Sequence, residues 1–141
     1  MAVRAGIDLV DVADVNEALE RWGERYLARV FTPSEVASCG APGDRRRGER
    51  LAACLAAKEA AFKVFLKADD EMPWQCVELT RQATGGLALH LSGTALACAE
   101  REGISSLAVS VSWKQDHAMA VVLAEIGVPH DPANSEDTEG A

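Results

Sequence analysis

Aromatic residues are scarce in this chain: three Trp, three Phe and one Tyr make up 5% of 141 residues. The core must therefore be built mostly from Ala, Leu and Val. Positive charge is also short, with 14 Lys and Arg against 22 Asp and Glu and a net charge of −8, which argues against nucleic acid as the main partner. Cys39, Cys54, Cys76 and Cys98 stand far apart with no C-x-x-C pair, so a structural zinc site is not expected. No apolar run reaches the roughly 18 residues needed to cross a membrane. Residues 1–10 are too short and too polar, with Asp8 among them, for a signal peptide. These absences describe a cytoplasmic protein with reduced thiols.

What is present is a globular composition, 48% hydrophobic and 26% charged, in a chain long enough for one domain with a real core. The domain is expected over residues 1–127. Residues 128–141 are Pro-, Asn- and acid-rich, with Asp131, Glu136, Asp137 and Glu139 and no Lys or Arg, and are expected to be a disordered acidic tail.

The stretch from Arg50 to Lys67 has no Gly or Pro and is crowded with alanine, which predicts a central helix. Leu51, Leu55, Phe62 and Leu66 recur at spacings of four, seven and four and form one apolar stripe. Glu59 falls on that stripe. A carboxylate on a buried face needs a partner. Either it pairs with Lys63 one turn on, worth a few tenths of a kcal/mol, or Glu59 holds a cation while Lys63 meets an anion.

Ahead of that helix, Val3, Ala5, Ile7 and Leu9 alternate with Arg4, Gly6 and Asp8, a strand pattern that points Asp8 away from the apolar face. A helix follows from Asp11 or Asp14 and stops near Gly23; residues 25–31 form another. Thr32-Pro33-Ser34-Glu35 reads as a capping box opening a third. Arg45, Arg46 and Arg47 sit in a Gly- and Pro-rich loop and are read as solvated, or else, as the one basic run in an acidic chain, as a docking patch for an acidic partner. After Met72-Pro73, strands are expected at 77–80 and 87–91 around Thr84-Gly85-Gly86. A helix from Ser92-Gly93-Thr94 to about Glu102 and strands at 107–113 and 118–125 complete the chain. The class is α+β, an antiparallel sheet packed on a long helix.

Three blocks then stand in order: Gly6-Ile7-Asp8-Leu9-Val10, Phe31-Thr32-Pro33-Ser34-Glu35, and Ala56-Ala57-Lys58-Glu59-Ala60 with Lys63. Together with Gly85 to Leu89, Gly93, Ser110-Val111-Ser112 and 118–121, they resemble the holo-acyl-carrier-protein synthase family of 4′-phosphopantetheinyl transferases. The resemblance runs over about residues 3–126. It implies transfer of 4′-phosphopantetheine from coenzyme A to a serine of an acyl carrier protein, in a specialised fatty-acid or polyketide pathway, by a homotrimer whose coenzyme A lies between subunits. It further implies that Asp8 and Glu59 ligate Mg²⁺, that Glu59 and Lys63 are catalytic, and that Lys58, Lys63, Gly85 and Ser112 contact coenzyme A. The chain departs from the family pattern at Trp113 (His in the family), Cys54 (Arg), Asp14 (Arg) and Leu87 (Pro). A relative recruited to bind coenzyme A or a loaded carrier for other chemistry is the alternative these departures open. His117, four residues after Trp113, is read as an exposed turn histidine.

Overall fold

The central helix is enclosed on nearly every side. The computed structural model describes residues 2–67 and 71–127; the expected acidic tail lies outside the described residues. In chain order the elements are β1 (Ala2–Asp11), α1 (Val12–Trp22), α2 (Glu24–Val30), α3 (Pro33–Ser38) and the central α4 (Arg47–Phe62). A 3-10 turn at Trp74–Cys76 leads into β2 (Val77–Arg81), then β3 (Leu87–Leu91), α5 (Gly93–Arg101), β4 (Ile104–Lys114) and β5 (His117–Ile126). One antiparallel sheet has the order β1-β5-β4, and β2 pairs with β3 in a separate hairpin. The α+β expectation holds.

Local chemistry explains the junctions. Gly23 has φ +50° between α1 and α2, a conformation that suits glycine. The capping box is formed: Thr32 Oγ1 accepts from Glu35 N–H at 3.2 Å, and Thr32 N–H donates to Glu35 Oε1 at 2.9 Å.

At its far end α4 is shorter than its sequence pattern, and Leu66, expected on the buried stripe, is 76% exposed. After Phe62 the backbone tightens, with Val64 N–H reaching Ala61 O and Phe65 N–H reaching Phe62 O. Val64 and Phe65 are buried in place of Leu66. This helix end has neither Gly nor Pro, the residues that pattern-reading uses as stop signals. Along α4, Ala52, Ala53, Ala56, Ala57, Ala60 and Ala61 are all buried. Short side chains let β1 and β5 approach on one side and α1 on another.

The sheet is apolar on both faces. The inner face of β1, toward α4, carries Gly6, Asp8 and Val10. The alternating Val3, Ile7 and Leu9 point outward, with Ile7 59% and Leu9 61% exposed. On β5, Ala118, Ala120, Val122 and Ala124 are buried, whereas Met119, Val121 and Leu123 are exposed. The strand register places Ile7 beside Val121, and Leu9 beside Met119. Asp8 does point away from the apolar row, as its parity predicts. That row is the solvent side, and Asp8 faces the helix.

Candidate active site

Asp8 and the end of α4 meet where β1 crosses the helix. Lys63, the first residue past α4, donates from Nζ to Asp8 Oδ1 at 2.8 Å and to the Ile7 carbonyl at 3.0 Å. Its ammonium therefore goes to Asp8, across the strand, rather than back along the helix. Asp8 Oδ2 is buried and, among the described residues, has no donor beside it other than the carboxyl of Glu59. Glu59 lies against it. Burial first, then the hydrogen bond and charge of Asp8, push the Glu59 carboxyl up to about 8, with Lys63 pulling the other way. Burial also acts to raise Asp8, but the hydrogen bonds from Glu59 and Lys63 outweigh it and hold Asp8 below its ordinary value. The pair thus keeps one proton, on Glu59, because two adjacent carboxylates and one ammonium leave an uncompensated negative charge.

A divalent cation suits that arrangement. Asp8 and the proton-holding Glu59 are two hard oxygen donors side by side, and a cation between them would replace the proton they share. No group of three or more His, Cys, Asp or Glu side chains converges among the described residues. Two protein carboxylates, with the other positions left to water and phosphate oxygens, is the ligand set Mg²⁺ prefers.

The proton on Glu59 sets a pH dependence. Between its unfolded value of 4.5 and about 8, the folded chain holds a proton that the unfolded chain has released. Its stabilising effect is complete below about 4.5 and is lost as pH rises toward 8. Asp8, held low, acts in the opposite sense only in acid, where its contribution is lost as pH falls below the ordinary carboxylate range. The melting temperature of the metal-free protein should therefore fall between pH 5 and 8. Millimolar MgCl₂ should raise it more at pH 8 than at pH 6, because metal and proton compete. Calorimetry at both pH values checks this; an equal Mg²⁺ effect would separate Glu59 from the metal.

Glu59 opens into a cleft of about 450 Å³ lined by Leu9, Asp11, Asp14, Tyr26 and Leu55, among others. Burial, and then the charges of Glu59 and Cys54, push the Tyr26 hydroxyl up to about 12, so it remains a donor in the cleft. His117 is not free in its turn: its Nε2 lies 2.8 Å from Asp11 Oδ1, joining the β4–β5 turn to the cleft wall.

The other expected site residues lie elsewhere. Lys58 is enclosed, with its Nζ 2.7 Å from Glu35 Oε1 and both side chains 0% exposed. Within one protomer it contacts neither solvent nor Asp8. Gly85 is in the β2–β3 turn at φ +91°, and Ser112 is exposed on β4, opposite Met119. Because β5 lies between β1 and β4, Ser112 and Asp8 occupy opposite edges of the sheet.

A second cavity, about 210 Å³, opens on the β4 side of α4, where Trp113, Cys54 and Leu87 line it together with Arg46, Arg50 and Arg81. Cys54 and Trp113 stand where the resemblance expects Arg and His. The three arginines come from the loop before α4, from α4 itself and from β2; Glu35 and Glu49 line the same cavity, and Arg50 is paired with Asp44 at 3.0 Å. Arg46 is exposed in its loop, as expected; Arg50 and Arg81 are distant in sequence from each other and meet it only through tertiary packing.

A profile of the 4′-phosphopantetheinyl transferase superfamily matches residues 4–122. A holo-[acyl-carrier-protein] synthase of Desulforudis audaxviator (strain MP104C) is 40% identical over 124 residues, spanning 88% of this chain and 93% of the relative. The chain belongs to the holo-acyl-carrier-protein synthase family. A second synthase, from Moorella thermoacetica (strain ATCC 39073 / JCM 9320), is 38% identical over 87% of this chain and 94% of its own. Among solved structures, a Chronobacterium ammoniagenes ACPS–CoA complex superposes with a TM-score of 0.79 at 30% identity, covering 91% of this chain and all of that one. The Helicobacter pylori holo-[acyl-carrier-protein] synthase in complex with coenzyme A superposes at 0.73, with 25% identity, 86% of this chain and all of that one. The family match takes in Asp8, Glu59 and Lys63.

Proposed function

We propose that this chain transfers 4′-phosphopantetheine from coenzyme A to a serine hydroxyl of an acyl carrier protein. The observation that carries the reading is the convergence of Asp8, Glu59 and Lys63, two carboxyls sharing one proton beside one ammonium. The carrier's hydroxyl oxygen bonds to the β-phosphorus and gives up its proton to water, the pyrophosphate P–O bond breaks, and 3′,5′-ADP leaves with the electron pair. Asp8 and Glu59 would hold Mg²⁺, which when bound neutralises pyrophosphate charge. Lys63 sits at the mouth, half exposed, and can turn its ammonium from Asp8 to a phosphate oxygen as charge develops there.

Coenzyme A carries phosphate at both ends of its nucleotide, and the chain presents two separate receptors for it. One is the carboxylate–lysine site at the β1 edge; the other is the arginine cavity at the β4 edge, with the Trp113 indole on its rim. Helix α4 stands between them in one protomer. A coenzyme A that used both would join the β1 edge of one copy to the β4 edge of the next. Such a head-to-tail contact closes into a ring, and the family resemblance implies a ring of three. The outward apolar row of Val3, Ile7, Leu9, Val121 and Leu123 is the surface such packing would bury. All four cysteines are free thiols, in keeping with a reducing cytoplasm, and among the described residues no helix is long and apolar enough to cross a membrane.

The direct test is to incubate the chain with coenzyme A, Mg²⁺ and a panel of apo carrier proteins, and to weigh the carriers by mass spectrometry. A gain of one phosphopantetheine on a carrier serine is expected. No gain on any carrier from folded protein would defeat the reading. The assembly has its own test: light scattering should return about three times 15.0 kDa. Ile7→Lys, which charges the outward face, should return monomers that transfer poorly because no copy holds a whole site.

A further inference from the structure

We propose that the buried Glu35–Lys58 pair is a positioning device that sets the rotation of α4, and through it the place of Glu59. The inference rests on Asp8 and Glu59 being the reacting pair of the proposed transferase. Four donors from three parts of the chain converge on the Glu35 carboxylate. Oε1 accepts from Lys58 Nζ at 2.7 Å and from Thr32 N–H at 2.9 Å; Oε2 accepts from the Cys54 thiol at 3.2 Å and from Leu79 N–H at 2.9 Å. The Lys58 ammonium also stands 5.9 Å from the centre of the Phe31 ring, within cation–π range.

Two of those donors, Cys54 and Lys58, sit one turn apart on α4 and face the same carboxylate. A helix held at two points a turn apart cannot roll. The rest of the buried α4 surface is mostly methyl groups from alanines, with Leu51 and the close approach of Ala60 to Gly6 as its other fixed points. Such a surface offers few of the ridges and grooves that lock one helix against its neighbours.

Glu59 follows Lys58 by one residue, about 100° around the helix, and so faces Asp8 while Lys58 faces Glu35. A roll of roughly 20° would carry a side-chain tip, about 5–6 Å from the helix axis, some 2 Å sideways. Misplacements of about 1 Å can lower catalysis on the order of 100-fold. Stability alone is a weak account of the pair, since well-packed apolar replacements of buried ion pairs are often neutral or stabilising.

The experiment uses the double variant Glu35→Gln/Lys58→Met, which removes both charges together. It should melt near the parent temperature and yet transfer phosphopantetheine with kcat lowered about 10- to 100-fold and KM for coenzyme A changed less than about 3-fold. Its crystal structure should show Glu59 turned away from Asp8. Should the double variant fail to fold, Cys54→Ala removes a single anchor, and kcat should fall about 3- to 10-fold with Glu59 displaced from Asp8 in its crystal structure. A parent-like kcat in a folded variant, or Glu59 still against Asp8 in its structure, would overturn the proposal and leave Glu35 and Lys58 as packing. If the parent itself loads no carrier, the proposed function fails on its own, and the position of Glu59 in the variant structure still decides this inference.

Discussion

Glu59→Gln should lower phosphopantetheine transfer by about 10³-fold while making the metal-free protein more stable at pH 8. The two effects have one cause. Glutamine keeps the shape of glutamate and can donate to Asp8, as the protonated carboxyl of Glu59 does in the folded chain. It cannot become the anionic oxygen donor that Mg²⁺ needs. Losing the electrostatic stabilisation of a phosphoryl-transfer transition state costs several kcal/mol, about 4 for a 10³-fold change. The stability gain follows because the variant no longer meets the penalty of ionising beside Asp8 as pH approaches 8. Asp8→Asn should reduce transfer similarly but without the stability gain, since it also removes the Lys63 partner at 2.8 Å. Steady-state rates and melting curves on the same preparations check both. If Glu59→Gln kept its activity and only its melting temperature rose, Glu59 would be a strained core charge and no metal ligand.

The features that were legible in the sequence are those decided by near neighbours. The capping box at Thr32 and Glu35 depends on residues three apart, and the β2–β3 turn depends on Thr84-Gly85-Gly86. Both appear where the residues put them. The parity of β1 was equally plain, and it correctly separated Asp8 from Val3, Ile7 and Leu9. Which side of β1 is the inside was not legible. In an isolated chain an apolar row reads as core, and here the helix covers the other row while the apolar one faces out. The proposed assembly would give such a strand a reason, and a single sequence does not display an assembly. Glu35 was read as a cap, correctly, but its second oxygen reaches Cys54 and Leu79. Those residues are 19 and 44 positions away, beyond any local rule. The burial of Lys58 was hidden for the same reason, because its partner belongs to another helix. The candidate site residues rest on a resemblance between ordered blocks, and the fold explains part of that order: Asp8 and Lys63 are distant in sequence and meet because β1 crosses the end of α4.

That crossing is closer than an ordinary strand–helix contact. Gly6→Ala should therefore be among the most damaging single-methyl changes in the molecule. A Cβ at Gly6 would fall 2.0 Å from the Ala60 carbonyl oxygen and 3.2 Å from Val64 Cγ1. The obstacle is backbone, so no rotamer change relieves it, and either β1 or α4 has to move. Overpacking of this kind costs about 3 kcal/mol, which in a domain of this size lowers the melting temperature by roughly 10 °C. Ala60 follows Glu59, and Gly6 stands two residues before Asp8 on the same face of β1. The displacement that relieves the clash therefore separates the two carboxylates. Transfer should fall more than the loss of folded protein explains, even at temperatures where the variant is fully folded. Gly86→Ala is the control, because a Cβ there meets only side chains, Gln82 at 3.4 Å and Thr84 at 3.9 Å, and it should melt within about 2 °C of the parent. Calorimetry with transfer rates at 20 °C measures both parts. Parent-like melting of Gly6→Ala would mean that β1 and α4 are not in contact at this point, and the geometry that brings Asp8 to Glu59 would fall with it.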